Sequence, residues 1–473
     1  MSIRKNIISN VLLSSSKIIF PLFTFPYITR TLSVESYGSV LFIDAFTQYF
    51  IIFSALGVPF YGIREISKIK HKPELRSKLV LELISIKLLL AICFSLIFLL
   101  LKFFVPELKN NTDLIKLGCI SIISSSFLIE WFYQGMELYA YITKRSVLIK
   151  TLSVISVFWL IKANDDKLVY YFILVFANVT NAFINFAYYL RKYHSPVCSK
   201  LELTKHLKPL AILFLINIAV SAYTLLNTII LGVYTDVTQV SYYEASLRIS
   251  KIVTVCIVSV GAVLIPRITS LGTIGNKNKI KDLMNMSCSI VLLTTIPFCC
   301  FCMLFPEEIL NIVVGKNYGD TENALRILSP LPLIIGLCNV FGIQFLMPIG
   351  KEKKIFLATL MGFVISLILN FILTPKIGYI GASIACLCAE FTVFAIVYQN
   401  ARREIEITLD YGLLQLIIYS LAISYCITIP LHNLVSRFFQ LWVMIISFVT
   451  CLLLLNSYIK NTSLLKILTL QIR

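Results

Sequence analysis

Four basic residues stand inside stretches that are otherwise long and apolar enough to cross a bilayer: Lys17, Lys87, Arg248 and Lys251. A hydrocarbon interior accommodates a cation only beside a partner, a water-filled cavity or an anionic ligand. Lysine and arginine offer both charge and hydrogen-bond donors to a phosphate or a carboxylate. These residues therefore predict a cationic passage through a membrane.

The lengths of the apolar runs place two of these bases within the membrane. Lys87 is followed by fourteen uncharged residues at 88–101, and Lys251 by the fourteen uncharged residues 252–265 that precede a proline. A helical span needs about 20 mostly apolar residues, so each helix must extend back to include its lysine. A second interpretation stays open, in which the lysine stem reaches toward the headgroups and keeps its charge in water.

Acidic residues also lie inside the apolar stretches. They are Asp44, Glu82, Glu130, Glu244 and Glu390. Burial raises the pKa of a carboxyl group and a nearby cation lowers it, so each acid is either a protonation switch or a counter-ion. Arg248 follows Glu244 at i+4 and is its expected partner, whereas Asp44 and Glu130 have no basic neighbour on their own helix face. We expect these two to couple to protons or sodium, unless a cation on another helix pairs with them.

Hydrogen-bonding side chains recur at helical spacing in two further stretches. One set comprises Asn178, Asn181 and Asn185, and the other comprises Asn217, Ser221, Thr224 and Thr228. Spacings of three and four residues place each set on one face of a helix. Such a face either lines a polar cavity or bonds to a neighbouring helix, because Asn, Ser and Thr commonly bond across helices in membranes.

The composition identifies the class of protein that must position these groups. Of the 473 residues, 58% are hydrophobic and 14% are charged, and the mean hydropathy is +0.86. Soluble domains carry roughly a quarter charged residues. The sequence therefore predicts an all-α polytopic membrane protein.

Polar clusters divide the chain into about fourteen apolar stretches of spanning length. The predicted spans are 8–30, 38–61, 79–101, 114–134, 146–161, 168–190, 209–233, 239–265, 286–305, 326–348, 355–374, 379–399, 412–430 and 438–458. Most loop lysines and arginines, including those at 144–150 and 191–208, fall on one side if both termini are cytoplasmic. This distribution follows the rule that basic loops stay in the cytoplasm, and it accounts for the net charge of +18 without a nucleic-acid partner.

Cysteine and histidine do not indicate a metal site. The thirteen cysteines fall mostly within predicted spans and show no paired CxxC units, so we interpret them as small packing residues. The four histidines lie in predicted loops or span ends. No metal or other cofactor is expected.

An internal repeat is indicated by two short segments. Residues 32–38 are echoed weakly by 235–242, and each copy is followed one span later by a proline and an arginine. The period of about 205 residues and six spans gives both copies the same orientation, as in transporters built from parallel repeats. The predicted divisions are a six-helix lobe at 1–200, a second at 201–400, and two additional helices with a tail at 401–473. Chance similarity between two turn-like segments is the alternative.

Several motifs then show a resemblance to a known family. They are Pro26-Tyr27-Ile28-Thr29-Arg30-Thr31-Leu32, Tyr37-Gly38, Tyr49-Phe50, Leu56-Gly57-Val58-Pro59, Tyr61-Gly62-Ile63-Arg64-Glu65-Ile66, Glu130-Trp131-Phe132-Tyr133-Gln134-Gly135-Met136-Glu137, Leu264-Ile265-Pro266-Arg267 and Gly378-Tyr379-Ile380-Gly381-Ala382-Ser383. In order and spacing they resemble the Wzx-type O-antigen flippases, which are members of the polysaccharide transporter family within the MATE-like superfamily. Two departures are visible, because Ser33 stands where that family usually has glycine and the last two spans extend beyond a twelve-span core.

The resemblance implies two six-helix lobes around a V-shaped cavity that opens alternately to the two sides of the bacterial inner membrane. The implied cargo is an oligosaccharide repeat unit linked through pyrophosphate to undecaprenol, moved to the periplasmic leaflet. A proton or sodium gradient would drive the cycle, as in an antiporter. A polysaccharide polymerase and a chain-length regulator are the implied partners.

The same resemblance places cationic residues near the pyrophosphate or an acidic sugar. These residues are Lys17, Arg30, Arg64, Arg248 and Lys251, with Lys87 the weakest candidate. The Asn, Ser and Thr faces would bind sugar hydroxyls. Asp44 and Glu130, followed by Glu244 and Glu390, would carry the coupling ion.

Three alternatives remain at this stage. A lipid II flippase would share the extra helices and a basic cavity, and a MATE-type exporter would share the fold although its organic cations would be repelled by intramembrane bases. A membrane polymerase or ligase would need a sizeable catalytic loop outside the membrane. The longest predicted outer connection, at 306–325, contains no histidine, so we expect no enzymatic activity.

Overall fold

The computed structural model describes residues 20–197 and 200–459, apart from positions 22, 255–256, 258–260, 262–263, 266, 272–276, 407–409 and 432–433. All regular secondary structure in these residues is helical, which confirms the all-α prediction. The chain forms two compact units, Met1–Ser241 and Tyr242–Arg473. The division at 200 and 400 stays a prediction.

The first unit contains the helices that hold most of the predicted site residues, after a helical stretch at 23–31. They are α1 (Val34–Ala55), α2 (Val58–Lys68), α3 (Pro73–Leu101), α4 (Pro106–Asn110), α5 (Thr112–Ser125), α6 (Glu130–Gly135), α7 (Tyr139–Leu160), α8 (Lys167–Lys192) and α9 (Thr204–Tyr234). Helix α10 (Val237–Ile252) begins at the end of this unit and continues into the second.

The second unit contains the helices that follow α10. They are α11 (Lys277–Leu304), α12 (Pro306–Val313), a 3₁₀ turn (Lys316–Thr321), α13 (Glu322–Leu328), α14 (Leu331–Cys338), a π-helix (Asn339–Leu346), α15 (Glu352–Arg402), α16 (Tyr411–Thr428), a 3₁₀ turn (Ile429–Leu431) and α17 (Arg437–Ile459). Helices α16 and α17 pack together around Leu416, Ile417 and Met444.

Eight helices among the described residues are long and apolar enough to cross a membrane. A ninth span forms if 316–328 and 331–346, which meet at 41°, are counted as one. A multi-pass membrane protein is therefore confirmed, and the count of fourteen stays a prediction. The fifth predicted span forms the 22-residue helix α7. This helix is not counted among the eight apolar helices, because it contains three basic residues, Lys144, Arg145 and Lys150.

Local chemistry explains both ends of α1. The Ser33 hydroxyl accepts a hydrogen bond from the backbone N–H of Ser36, 3.1 Å away, and so caps the helix at the position where glycine was expected. The helix ends at Leu56 and Gly57, whose φ angles are 42° and 76°. Glycine adopts such positive φ values without strain. The predicted span 38–61 is therefore interrupted here, a break that the sequence analysis missed.

Two glycines let α2 and α6 approach closely. A Cβ atom on Gly62 would overlap the indole ring of Trp131, and one on Gly135 would lie 2.8 Å from the Ile66 side chain. Val58, Ile66, Trp131 and neighbouring apolar residues form one buried cluster. The motif glycines that suggested the family resemblance thus have a packing role.

Helix α15 contains the break predicted between two spans. Its backbone leaves helical geometry at Ile377 and Gly378, where the φ of Gly378 is 56°. The predicted spans 355–374 and 379–399 meet at this point. Both halves contribute to a core that includes Ala358 and Val397.

Candidate functional site

Some predicted site residues lie outside the described part of the structure. Lys17 is one of them, and the side chains of Asn217, Ser221 and Thr224 are others. The described residues nevertheless bring several predicted groups together inside the first unit.

Lys87 is buried within the first unit, with 5% of its surface exposed. Its ammonium group donates a hydrogen bond to the backbone oxygen of Ser125 across 2.8 Å. Ser125 ends α5, where the carbonyl groups carry the negative end of the helix dipole. The lysine therefore satisfies a helix C-terminus, and the interpretation that it snorkels to the headgroups is wrong.

Glu130 pairs with a basic residue that the sequence analysis did not select. Arg145 Nη2 donates to Glu130 Oε1 across 2.6 Å, and Arg145 Nε donates to Asn181 Oδ1 across 3.1 Å. The Arg145 side chain is 4% exposed and that of Glu130 is 28% exposed. The alternative in which a cation on another helix serves as the partner of Glu130 is confirmed.

A further contact extends this arrangement across α5 and α8. Asn178 Nδ2 donates to the Ser121 hydroxyl at 3.5 Å. Ser121 and Ser125 are four residues apart on α5, and Asn178 and Asn181 are three apart on α8, so each pair shares a helix face. We call this set the polar seam, and its members are Lys87, Ser121, Ser125, Asn178, Asn181, Arg145 and Glu130.

Asn185 continues the α8 face but is fully buried. Neither its side-chain oxygen nor its side-chain nitrogen has a hydrogen-bond partner among the described residues. Arg145 Nη1 is also without a partner there. Buried polar atoms without a partner cost free energy, so each one calls for an explanation.

A second buried cluster lies where α2, α3 and α9 meet. The Tyr61 hydroxyl is 2.8 Å from His206 Nδ1, and His206 Nε2 is 2.8 Å from Glu82 Oε2. The side chains of His206 and Glu82 are 3% and 1% exposed. We call these three residues the Glu82 cluster. No sequence signal indicated that His206, at the start of its span, would be enclosed.

The remaining predicted residues of the first unit differ in accessibility. Arg64 Nε contacts the carboxylate of its neighbour Glu65 at 2.9 Å, and the Arg64 side chain is 54% exposed. Arg30 is also exposed. Asp44 accepts a hydrogen bond from Gln48 Nε2 at 3.3 Å, and Thr228 is buried.

One predicted ion pair is confirmed in the second unit, where other predicted charged residues also lie. Arg248 Nε lies 3.7 Å from Glu244 Oε2, as the i+4 spacing predicted. The Cys386 thiol lies within electrostatic range of Glu390, Lys251 and Glu244. Each of these three predicted residues therefore lies near Cys386.

A different network holds the π-helix. Ser287 donates to Gln344 Oε1 at 2.7 Å, and Gln344 Nε2 donates to Asn339 Oδ1 at 3.0 Å. Among the residues that the structure describes, no group of three or more His, Cys, Asp or Glu side chains could hold a metal ion.

Comparison with known proteins identifies related sequences and two matching protein families. Residues 3–271 match the model of a family described as polysaccharide biosynthesis protein, and residues 213–372 match a second family, MatE. A protein of Escherichia coli (strain K12) is 28% identical over 412 residues, which cover 85% of this chain and 98% of that protein. A protein of Shigella dysenteriae is 25% identical over 390 residues, covering 80% and 94%. Both are named "Putative O-antigen transporter".

The fold is also that of a solved transporter. The structure of the lipid II flippase MurJ in an inward closed conformation superimposes with a TM-score of 0.75. The two chains are 16% identical, and the alignment covers 96% of this chain and 98% of that one. At this identity the likeness is one of fold, and it agrees with the predicted MATE-like architecture.

Proposed function

The chain belongs to the polysaccharide biosynthesis protein family, and from that premise we propose that it is a flippase for a lipid-linked oligosaccharide. The cargo is an O-antigen or similar repeat unit linked through pyrophosphate to undecaprenol. It moves from the cytoplasmic to the periplasmic leaflet of the bacterial inner membrane. The nearly full-length match to relatives named as O-antigen transporters supports this class of cargo, and relatives of that kind are transporters rather than enzymes.

The observation that carries the proposal is a set of charged side chains on the helices of an apolar, multi-pass membrane protein. Lys87, Glu130 and Arg145 lie in the first unit, and Glu244 and Arg248 form a pair in the second. A pyrophosphate cannot cross hydrocarbon unaccompanied, so its carrier must offer cations and donors away from lipid. Charged groups inside a membrane are rare, and they commonly mark substrate or ion pathways.

Exposure separates Arg248 from Lys87 as a headgroup ligand. The Arg248 side chain is 36% exposed and can reach a ligand, whereas Lys87 is 5% exposed and is engaged with Ser125. We assign pyrophosphate binding to Lys17, Arg30, Arg64, Arg248 and Lys251, and last to Lys87. The faces formed by Asn178, Asn181, Asn185, Asn217, Ser221, Thr224 and Thr228 would bind sugar hydroxyls.

Ion coupling is assigned to the acidic residues within the spans. A proton on Glu130 would neutralise the charge that holds Arg145, and it would weaken the 2.6 Å contact between α6 and α7. Protonation and helix position are then linked at this pair. Asp44, Glu244 and Glu390 are the other coupling candidates, and either protons or sodium ions would serve.

The proposal extends to the orientation of the chain, its partner proteins and the competing cargo. Both termini would face the cytoplasm, and a polysaccharide polymerase and a chain-length regulator would receive the flipped unit. Lipid II is the competing cargo, because a lipid II flippase has the same fold. A drug exporter is disfavoured by the names of the full-length relatives.

Complementation tests the cargo directly. The chain is expressed in a bacterial strain that lacks its own O-antigen flippase and in a second strain depleted of its lipid II flippase. We expect long surface polysaccharide to return in the first strain and growth to remain impaired in the second. Rescue of the second strain alone would overturn the proposal in favour of lipid II.

Two matched arginines test the binding assignment. Arg248 and Arg326 each follow a glutamate at i+4, with N to O distances of 3.7 Å and 3.4 Å. Arg248→Ala should abolish surface polysaccharide at equal protein level, and Arg326→Ala should leave it unchanged. Equal effects of the two substitutions would contradict the role of Arg248.

A further inference from the structure

We propose that the Glu82 cluster is a proton-dependent latch that fixes the start of α9 to α2 and α3. It deepens the proposed function, since α9 carries the predicted sugar-binding face from Asn217 to Thr228. The latch is strongest when His206 carries two protons and Glu82 carries none. Its test below measures stability rather than transport, so it stands or falls independently of the cargo.

The first observation is that the connection from α8 to α9 is attached to one end of α3. Arg76 Nη2 donates to the backbone oxygen of Tyr193 at 3.0 Å. The backbone N–H of Ser195 donates to the Ser77 hydroxyl at 2.9 Å. The connection is therefore fixed to α3 before it reaches the Glu82 cluster.

Glu82 makes the next and most buried attachment. One carboxylate oxygen accepts from the backbone N–H of Glu202 at 2.8 Å, and the other is 2.8 Å from His206 Nε2. Because Glu202 precedes α9 and His206 lies in its first turn, a single carboxylate holds both the entry to this helix and its first turn. Movement of α9 relative to α3 must break both bonds.

The hydrogen bonds determine which atoms carry protons. A carboxylate accepts from His206 Nε2–H, so in the neutral imidazole Nδ1 must accept from the Tyr61 hydroxyl. A second proton makes both ring nitrogens donors, and the Tyr61 oxygen then accepts. The bond to Glu82, already charge-assisted by the carboxylate, then also becomes an ion pair and gains Coulomb attraction.

Other charges face the cluster from every side. Lys78 and Lys205 lie 3.9 Å and 3.5 Å from Glu82 Oε1, and Glu202 contacts both lysines. Arg64 lies over the Tyr61 ring at 5.4 Å, with Glu65 beside it. The lysines oppose a charge on His206, but Glu82 is in direct contact with the imidazole and its attraction is the stronger.

An apolar contact would fix α9 to α3 with a smaller desolvation penalty than the Glu82 cluster requires. Buried ion pairs pay a large desolvation penalty, and well-packed apolar residues of similar volume are often as stable or more so. An imidazole is the side chain whose charge changes most readily near neutral pH. The cluster therefore has the chemistry of a contact that can be released.

The test compares two histidines of the same connection. His206 is buried and contacts Glu82, whereas His194 is exposed. Melting temperatures of the purified full chain are measured at about pH 6 and about pH 8.5, the range over which imidazole changes its charge. His206→Gln should lower the melting temperature more at the lower pH than at the higher pH, because glutamine cannot take up the second proton. His194→Gln should give no pH-dependent difference.

Two further measurements complete the test. In the Glu82→Gln background the pH-dependent effect of His206→Gln should disappear, and amide hydrogen exchange at 200–206 should be faster in either variant. A stability loss that is equal at both pH values, or that persists without Glu82, would show a plain packing role and overturn the latch.

Discussion

Arg145 Nη2 lies 2.6 Å from Glu130 Oε1, and the two side chains differ sharply in exposure. The guanidinium is 4% exposed, whereas the carboxylate is 28% exposed. The acid is thus the more accessible of the two charged groups. Loss of the partner should therefore be more costly for Arg145 than for Glu130. A buried charge without a partner costs more free energy than a charge that remains partly accessible.

This asymmetry predicts the outcome of removing either partner. Glu130→Ala leaves a buried guanidinium without its counter-ion and should lower the free energy of unfolding by about 3 kcal/mol or more. Arg145→Met retains the apolar stem, leaves only the less buried carboxylate without its partner, and should cost less. Thermal or denaturant unfolding of the purified variants measures both effects.

The double variant is the control for this pair. Because Arg145→Met removes the charge that Glu130→Ala would strand, the double variant should lose less stability than the sum of the two single losses. Additive losses would contradict an interaction between the two residues.

The pair also shows what the sequence could and could not predict. Glu130 was identified from its place in an apolar stretch, but Arg145 was assigned to a basic loop because the fifth span was started at residue 146. In the structure α7 begins at Tyr139, which carries Arg145 into the helix. The Glu130–Arg145 pair depends on the direction in which the chain turns between α6 and α7. A hydropathy pattern contains no information on the direction of a turn.

Helix breaks were predictable only where polar residues or spacing indicated them. The break at Ile377 and Gly378 was anticipated because two span lengths had to fit between 355 and 399. The break at Leu56 and Gly57 was not, because both residues continue an apolar run. The Glu82 cluster could not be predicted either. His206 is buried because α9 packs against other helices, and the residues around His206 in the sequence do not indicate this packing.

Close packing between α2 and α6 predicts a specific sensitivity to a single methyl group. A Cβ atom at Gly62 would overlap the Trp131 ring, which is itself buried, so neither partner can move away easily. Gly62→Ala should destabilise the protein by about 1–3 kcal/mol. Reduced melting temperature and reduced membrane accumulation are the measurements.

Gly319 provides the matched control for this substitution. A Cβ atom there meets nothing within 4 Å, and the residue is exposed. Gly319→Ala should leave the melting temperature within the range of ordinary surface substitutions. If Gly62→Ala were equally silent, the close approach of α2 and α6 would be wrong.

Two carboxyl groups outside the spans should show opposite pH dependence. Burial raises the pKa of Glu107, the charges of Asp236 and Glu35 raise it further, and Lys167 opposes them. Hydrogen bonds from the backbone N–H groups of Ala163 and Lys162, at 2.7 Å and 2.8 Å, lower the pKa of Asp166. An ionised Glu107 therefore disfavours folding, and an ionised Asp166 favours it.

The sign for each substitution follows from proton linkage. A folded state with a raised carboxyl pKa loses stability as the pH rises through that value, so Glu107→Gln should increase the melting temperature at about pH 7. The gain should vanish as the pH falls below the ordinary carboxyl range, about 4. Asp166→Asn should decrease the melting temperature at about pH 7, and its loss should fade only as the pH falls through the lowered value in the folded state. Melting curves across this range measure both effects, and a shift of the same sign for the two substitutions would contradict the charge arrangement around them.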